Sequence, residues 1–388
     1  KASTYRIFSR LFCNYIMPDR PVPARKSKAA KAGEEDEDNK VVEEKTSDMA
    51  ALIKDGARIE AKQDVEDERE GEIEGDEVLE ALGGTDYKTR LDRAIKNIEE
   101  HSNDFLTPEA LQTYSPKFLH MLENIDNPDN AGLHLVYSQF RTAEGIGLFT
   151  LVLEKNGFAR FKIKKNAQGV WEIDIAEQDQ GKPTYALYTG TETVEEKEMV
   201  RHIYNGEWDQ IPESIGSILK AKYHNNNMGE VIKVFMITSS GSEGINLRNT
   251  RFVHIMEPYW HPVRTEQVIG RARRICSHKD LPKALQTVEV FIYLMVFSDA
   301  QLKSDEAIEL KRKDLSKAIP KVPITSDQYL FEISEIKANL LSTERREASV
   351  GCAVKTGRTE KSANHCCKSS LLISWPDLRA SSILSTAW

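Results

Sequence analysis

From Leu133 onward, short apolar runs alternate with patterns of helical period. Leu133-His134-Leu135-Val136-Tyr137, Tyr185–Tyr188, Val234–Ile237, Phe252–Met256 and Val288–Val296 each predict a strand. Nearly unbroken apolarity over so few residues is expected of strands covered on both faces. Between them the spacing predicts a helix running through Leu153, a second over Thr193–Tyr204 and a third over Arg264–Ile275. Phe161-Lys162-Ile163-Lys164-Lys165 and Trp171-Glu172-Ile173-Asp174-Ile175 alternate with period two on either side of Asn166-Ala167-Gln168-Gly169, which predicts an inserted β-hairpin. Strands alternating with helices predict an α/β fold. Its parallel sheet should be flanked by helices and carry its function at the strand C-terminal ends.

Upstream the texture differs. From Asp86 to Ile125 the pattern is helical, with Leu91, Ala94, Ile95 and Ile98 on one stripe, and Thr107-Pro108 reads as an N-cap followed by proline at the first helical position. Tyr5–Ile16 is apolar and basic and closes at Pro18, so it is expected to form a short helix or strand docking on a body whose other part lies in a preceding lobe that this segment joins. Charge separates what lies between. The whole chain carries a net charge of −8, yet residues 33–80 alone hold 20 acids against 6 bases, a local −14 that leaves +6 for the rest. With almost no aromatics to bury, residues 21–80 are expected to be a disordered acidic insertion. The expected division is therefore a joining segment at 1–20, the acidic insertion at 21–80 and a helical linker at 81–130. The α/β lobe occupies 131–300, a helical extension 301–347, and a tail at 348–388 fits no element and is read as disordered.

Several classes are excluded. No run approaches the roughly 18 apolar residues of a membrane-spanning helix, and five irregularly spaced cysteines fit a reducing compartment better than a disulfide framework. The chain starts at Lys1 without a signal-like apolar core, and the missing initiator methionine is expected to mark a piece of a longer chain. The acidity does not exclude a polyanionic partner, because residues 131–300 balance at 20 acids and 20 bases and the strip Arg251–Lys283 has 7 bases against 3 acids.

Three segments carry candidate chemistry. Gln267-Val268-Ile269-Gly270-Arg271-Ala272-Arg273-Arg274 would place Gln267, Arg271 and Arg274 at i, i+4 and i+7 on one helical face, where forked guanidiniums could meet phosphate oxygens. The same residues would serve equally well as a solvated basic face. Thr238-Ser239-Ser240-Gly241-Ser242-Glu243-Gly244-Ile245-Asn246-Leu247 follows a strand and brings glycines and hydroxyls to its end, suited to a backbone-lined ligand loop or to an ordinary polar turn. Glu257-Pro258-Tyr259-Trp260-His261-Pro262 leads from the next strand into the arginine-rich helix. Other patterns fail. Gly145-Ile146-Gly147 has Thr150 where a dinucleotide fingerprint needs its third glycine, and Cys352 with His365-Cys366-Cys367 lacks paired metal-ligand spacing, so no metal site is expected.

In this order and spacing the segments resemble the C-terminal RecA-like lobe of superfamily 2 helicases. Thr238–Asn246 is similar to motif V and Gln267–Arg274 to motif VI. Ser138-Gln139-Phe140 resembles motif IV, and Thr189-Gly190 with Glu195-Glu196-Lys197 the motif between. Trp260-His261-Pro262 and Arg274-Ile275-Cys276-Ser277-His278 look closest to the Swi/Snf-like branch. Within it they resemble NTPase/helicases and early-transcription-factor subunits of large nucleocytoplasmic DNA viruses. The resemblance implies that Arg274 is an arginine finger at the γ-phosphate of ATP, with Arg271 and Gln267 beside it and Gly244, Asn246 and Gly270 near the nucleotide. It implies that Ser138, Gln139, Thr189, Gly190, Thr238 and Ser239 hold the phosphodiester backbone of DNA or RNA without reading sequence. Glu243 and Asn246 stand where many members carry Arg and Asp.

The chain contains no G-x-x-x-x-G-K-[ST]; its one Gly-Lys, Gly181-Lys182, runs into Pro183, and Asp76-Glu77-Val78-Leu79 follows no strand. ATP and Mg2+ are therefore expected to be bound mainly by an N-terminal RecA-like lobe preceding this segment, and the segment alone is expected to be inactive. The resemblance further implies an intracellular setting, host-cell cytoplasm or virion for a viral protein, and transcription machinery as a partner. The alternative is a RecA-like subunit of a viral transcription factor or scaffold that does not hydrolyse ATP.

Overall fold

The computed structural model describes residues 7–21, 75–141, 143–190, 192–238, 244–303, 315–317, 319, 322–340 and 380–387. Most of the acidic tract and of the C-terminal tail lies outside them. In chain order the strands are β1 (Leu133–Tyr137), β2 (Ala159–Arg160), β3 (Ile163–Lys165), β4 (Trp171–Ile173), β5 (Thr184–Tyr188), β6 (Val234–Ile237), β7 (Thr250–Ile255), β8 (Glu289–Phe297) and β9 (Ala380–Ala387). Seven of them form one sheet in the order β2-β5-β6-β1-β7-β8-β9, parallel throughout, while β3 and β4 make the expected antiparallel hairpin. All five residues of β1 and all four of β6 are buried, as unbroken apolar runs require when helices cover both faces.

One face is covered by α1 (Ile7–Asn14), α2 (Gly75–Glu100), the short α3 (Ser102–Phe105), α4 (Pro108–Tyr114), α5 (Pro116–Asp126) and α6 (Ile146–Lys155). Tyr15, Phe118, Phe149 and Tyr293 pack there in one cluster. The opposite face takes α7 (Val194–Tyr204), α8 (Glu213–Lys222) and α9 (Pro262–Ala272), with Ile203, Trp208, Ile215, Val268 and Ile269 in the second cluster. A short α10 (Asp299–Lys303) and a helix α11 over 326–340 follow β8. Local chemistry sets the helix starts. Thr107 accepts from the Ala110 N–H with Pro108 at the first position, and Thr193 and Glu196 cap each other's backbone in a capping box.

Two buried polar arrangements tie elements together. Across β1, β7 and β8, Tyr293 donates to His254 Nδ1 (2.8 Å), His254 Nε2 to His134 Nδ1 (2.9 Å) and His134 Nε2 to the Asn130 carbonyl (3.1 Å). That direction needs both imidazoles neutral, and burial pushes both below their usual range, His254 to about 3. Lys117 on α5 meets Asp327 on α11 at 2.5 Å with both side chains wholly buried, and Asp327 also accepts from the Met295 N–H of β8 at 3.1 Å.

Several expectations change. Residues 7–16 dock on this lobe: Leu11 and Tyr15 are fully buried, and Ser115 donates to the Asn14 carbonyl. Helix α2 starts at Gly75, so the expected boundary at residue 80 falls inside it and Asp76–Leu79 are helical. The unassigned tail contributes a strand, Ala380–Ala387, beside β8. The arginine helix stops at Ala272, not Ile275. Among the described residues no helix is long and apolar enough to cross a membrane.

Candidate functional site

Helix α9 begins where β7 leaves the sheet. His261 caps it, accepting from the Val263 N–H at 3.3 Å, and Pro262 occupies the first helical position. Thr265, Val268, Ile269 and Ala272 turn inward, which leaves Gln267 exposed and Gly270 and Arg271 half-buried on the outer side. The helix closes at Arg273, whose N–H bonds the Ile269 carbonyl. Gln267 and Arg271 therefore share a face as expected, but Arg274 does not belong to the helix. It sits exposed on a turn in which Cys276 takes the left-handed conformation (φ 61°) and Ser277 Oγ donates to the Ala272 carbonyl at 3.0 Å. His278 Nε2 fastens that turn to the Thr250 carbonyl at 2.7 Å, and the Asn249 N–H bonds the Ser277 carbonyl at 3.0 Å.

These bonds bring the exit of α9 against the segment leading into β7, where the other nucleotide candidates lie. Asn246 is exposed, and its carbonyl accepts from Asn205 Nδ2 (3.0 Å) at the end of α7. Gly244 is exposed with φ 74°, a conformation that favours glycine although open space surrounds its Cα. An open cavity of about 560 Å³ lies beside Asn246, lined by Arg201, His202, Glu207, Gln210 and Arg248. Within it Glu207 accepts from His202 at 2.7 Å and pairs with Arg248 at 3.1 Å.

The expected backbone-gripping residues are at the other end of the strands, and most are turned inward. Ser138 is buried, donating to Glu257 at 2.7 Å. Gln139 is 9 % exposed; its N–H bonds Glu257 at 2.9 Å and its side-chain oxygen accepts from Arg10. Thr189 directs its N–H (2.8 Å) and hydroxyl (3.0 Å) to Glu192, and Thr238 is fully buried. Gly190 is exposed, while Ser239 lies outside the described residues. In this conformation Ser138, Gln139 and Thr189 hold other loops instead of facing solvent. Burial pushes the Glu257 carboxyl up, outweighing the hydrogen bonds from Gln139 and Ser138.

Sequence reasoning gave no role to Glu257, Arg10, Asn14 or Arg264. The signal for Glu257 was its place just ahead of the arginine helix; the others had none, because their partners lie more than a hundred residues away. Arg264 donates to Tyr137 at 2.8 Å and lies over the Tyr259 ring, and Lys337 sits 3.7 Å from the Trp260 ring centre.

With this geometry in place, the helicase conserved C-terminal domain family matches residues 170–276, a span holding the motif-like loop before β7 and all of α9. Residues 170–276 of the lobe are thus similar to helicase C-terminal domains. The parallel sheet with helices on both faces is consistent with the RecA-like lobe the motifs imply. The chain is 32% identical over 212 residues to a protein of Acanthamoeba polyphaga mimivirus named for ATP-dependent RNA helicase activity, covering 55% of this chain and 31% of that protein. A second mimivirus protein with the same kind of name aligns at 24% identity over 95% of this chain and 41% of its own length. The termination factor NPH-I homolog of African swine fever virus is 32% identical over 258 residues, 62% of this chain and 33% of that protein. The chain thus spans about a third to two fifths of the length of the viral relatives it matches.

Proposed function

We propose that this chain is the C-terminal motor lobe of an ATP-dependent nucleic-acid helicase or translocase, supplying Arg274 and Arg271 to the phosphates of ATP bound mainly by a preceding lobe. The observation that carries this reading is the meeting of the α9 exit with the Gly244–Asn249 segment through the Asn249–Ser277 bond. Two stretches that resemble nucleotide-facing motifs thereby come to one end of the lobe. The donors gathered there suit the fit: guanidiniums and amides match phosphate oxygens, and Mg2+ is assigned to the preceding lobe. The strand C-terminal ends face the backbone of DNA or RNA, with Gly190 and the loop after Thr238 at the contact and Ser138 and Gln139 shaping it from beneath. Alternating closure of two lobes would carry that grip along the strand.

The deciding experiment is nucleic-acid-stimulated ATP hydrolysis by the full-length protein. Arg274→Ala is expected to reduce it about 10³-fold or more, the range for removing an arginine that neutralises transferring phosphate. Unchanged turnover would sink the assignment. An intact protein that binds nucleic acid and hydrolyses nothing would favour the non-hydrolysing subunit.

A further inference from the structure

Glu257 is the residue at which β7 gives way to the turn that starts α9, and its side chain has no access to solvent. Its Oε1 accepts from Asn14 Nδ2 (2.6 Å) and Ser138 Oγ (2.7 Å), and its Oε2 accepts from the Gln139 N–H (2.9 Å). The donors are themselves held. Gln139 is gripped by Arg10, whose guanidinium lies 5.1 Å from the Phe140 ring centre, and Asn14 Oδ1 accepts from Lys117 at 2.9 Å. One carboxylate therefore joins α1, the turn after β1 and the turn before α9, segments that are far apart in sequence. A carboxyl group supplies the acceptors that these three groups converge on.

We propose that Glu257 is a positioning residue for Arg271 and Arg274, with Asn14 and Arg10 holding it from the N-terminal helix. It sets where α9 begins, and the helix, 11 residues long, carries that setting about 16 Å to the end bearing the arginines. The packed inner stripe of α9 makes it move as a unit, so a small shift at Glu257 reappears at Arg274 rather than dissipating. The turn after β1 and helix α1 thereby regulate the nucleotide end from the opposite end of the strands. This inference rests on the reading that the α9 exit faces phosphate.

Its test compares Glu257→Gln, Asn14→Asp and the double variant in the full-length protein. The first single change turns an amide N–H toward existing donors, and the second sets two carboxylates together. In the double variant the new amide donates to the new carboxylate, its oxygen accepts from the Gln139 N–H, and Ser138 keeps its bond to the Phe140 carbonyl (3.1 Å). Each single change is expected to lower stimulated kcat about tenfold or more, since roughly 1 Å of misplacement costs up to about 10²-fold. ATP KM should stay within about threefold, and the double variant should recover kcat to within about threefold. An unchanged kcat in both single variants overturns the proposal, as does a loss that the folded double variant fails to recover. If the single variants unfold, Arg10→Met reads the same coupling without touching the carboxylate, and an unaltered kcat there overturns it equally. Should Arg274→Ala leave hydrolysis unchanged, the nucleotide reading falls and this inference with it; should only Glu257→Gln be silent, the positioning role alone falls.

Discussion

The two ends of the sheet are built on opposite terms. At the strand C-terminal end, Glu257, Ser138, Gln139 and Thr189 sit in dry, mutually bonded arrangements, with the Lys117–Asp327 pair in the same bonded network. At the other end Arg273 and Arg274 are exposed, and Asn246 is exposed beside an open cavity. The first end holds its geometry by hydrogen bonds that fail if one member is removed, because an orphaned buried polar group costs about 1–3 kcal/mol. The second holds charge where a ligand can reach it and adds little to folding. Substitution should separate the two, with stability changing at one end and chemistry at the other.

The largest stability effect is expected at Lys117→Ala, which leaves Asp327 buried without its cation and should cost about 3–5 kcal/mol. Urea unfolding measures it, and replacing both partners with apolar residues should recover much of the loss. A cost below 1 kcal/mol would mean that water reaches the pair, and the contrast between the two ends would weaken.

Next comes acid. The folded-state pKa values of His134 and His254 lie below the unfolded value, so at falling pH the unfolded chain binds the extra protons. Their contribution is complete above about pH 6.5 and is lost as pH drops, about 2 kcal/mol by pH 5 for one histidine held near 3. Glu257, pushed up, works in the opposite direction. Unfolding followed from pH 7 to 5 should show the decline, with a flatter slope in His254→Phe; equal slopes would remove the histidines from the account.

Thr193→Ala breaks the capping box beside the C-terminal edge and should cost about 1 kcal/mol by thermal unfolding. Arg274→Ala should change stability by no more than about 0.5 kcal/mol, as expected of an exposed side chain, while removing hydrolysis in the full-length protein. A large stability loss there would erase the distinction between the ends.

Local patterns carried much of the fold. β1 runs over Leu133–Tyr137 as its apolar run predicts, the hairpin pairs Ile163–Lys165 with Trp171–Ile173, and α7 starts one residue after the predicted Thr193. The predicted helix overruns the end of α9 by three residues because arginines have high helix propensity; the stop comes from Ser277 and His278 tying the following turn to Ala272 and Thr250. The strand at Ala380–Ala387 was not legible, since its pairing with β8 is a long-range contact in a segment of weak pattern. Of the candidate site, the spacing Gln267–Arg274 located the basic segment, but which hydroxyls face solvent could not be read from it.

The sequence by itself determined the parallel α/β sheet, its hairpin and the order of the motif-like segments, because period and apolarity are properties of neighbouring residues. Tertiary structure alone decided that Ser138 and Gln139 turn inward to Glu257, that α1 belongs to this lobe, and that the turn after α9 meets the segment before β7 through Ser277 and Asn249. Each of these depends on buried donors and acceptors finding partners many tens of residues away, and only the closed fold brings them within hydrogen-bonding distance.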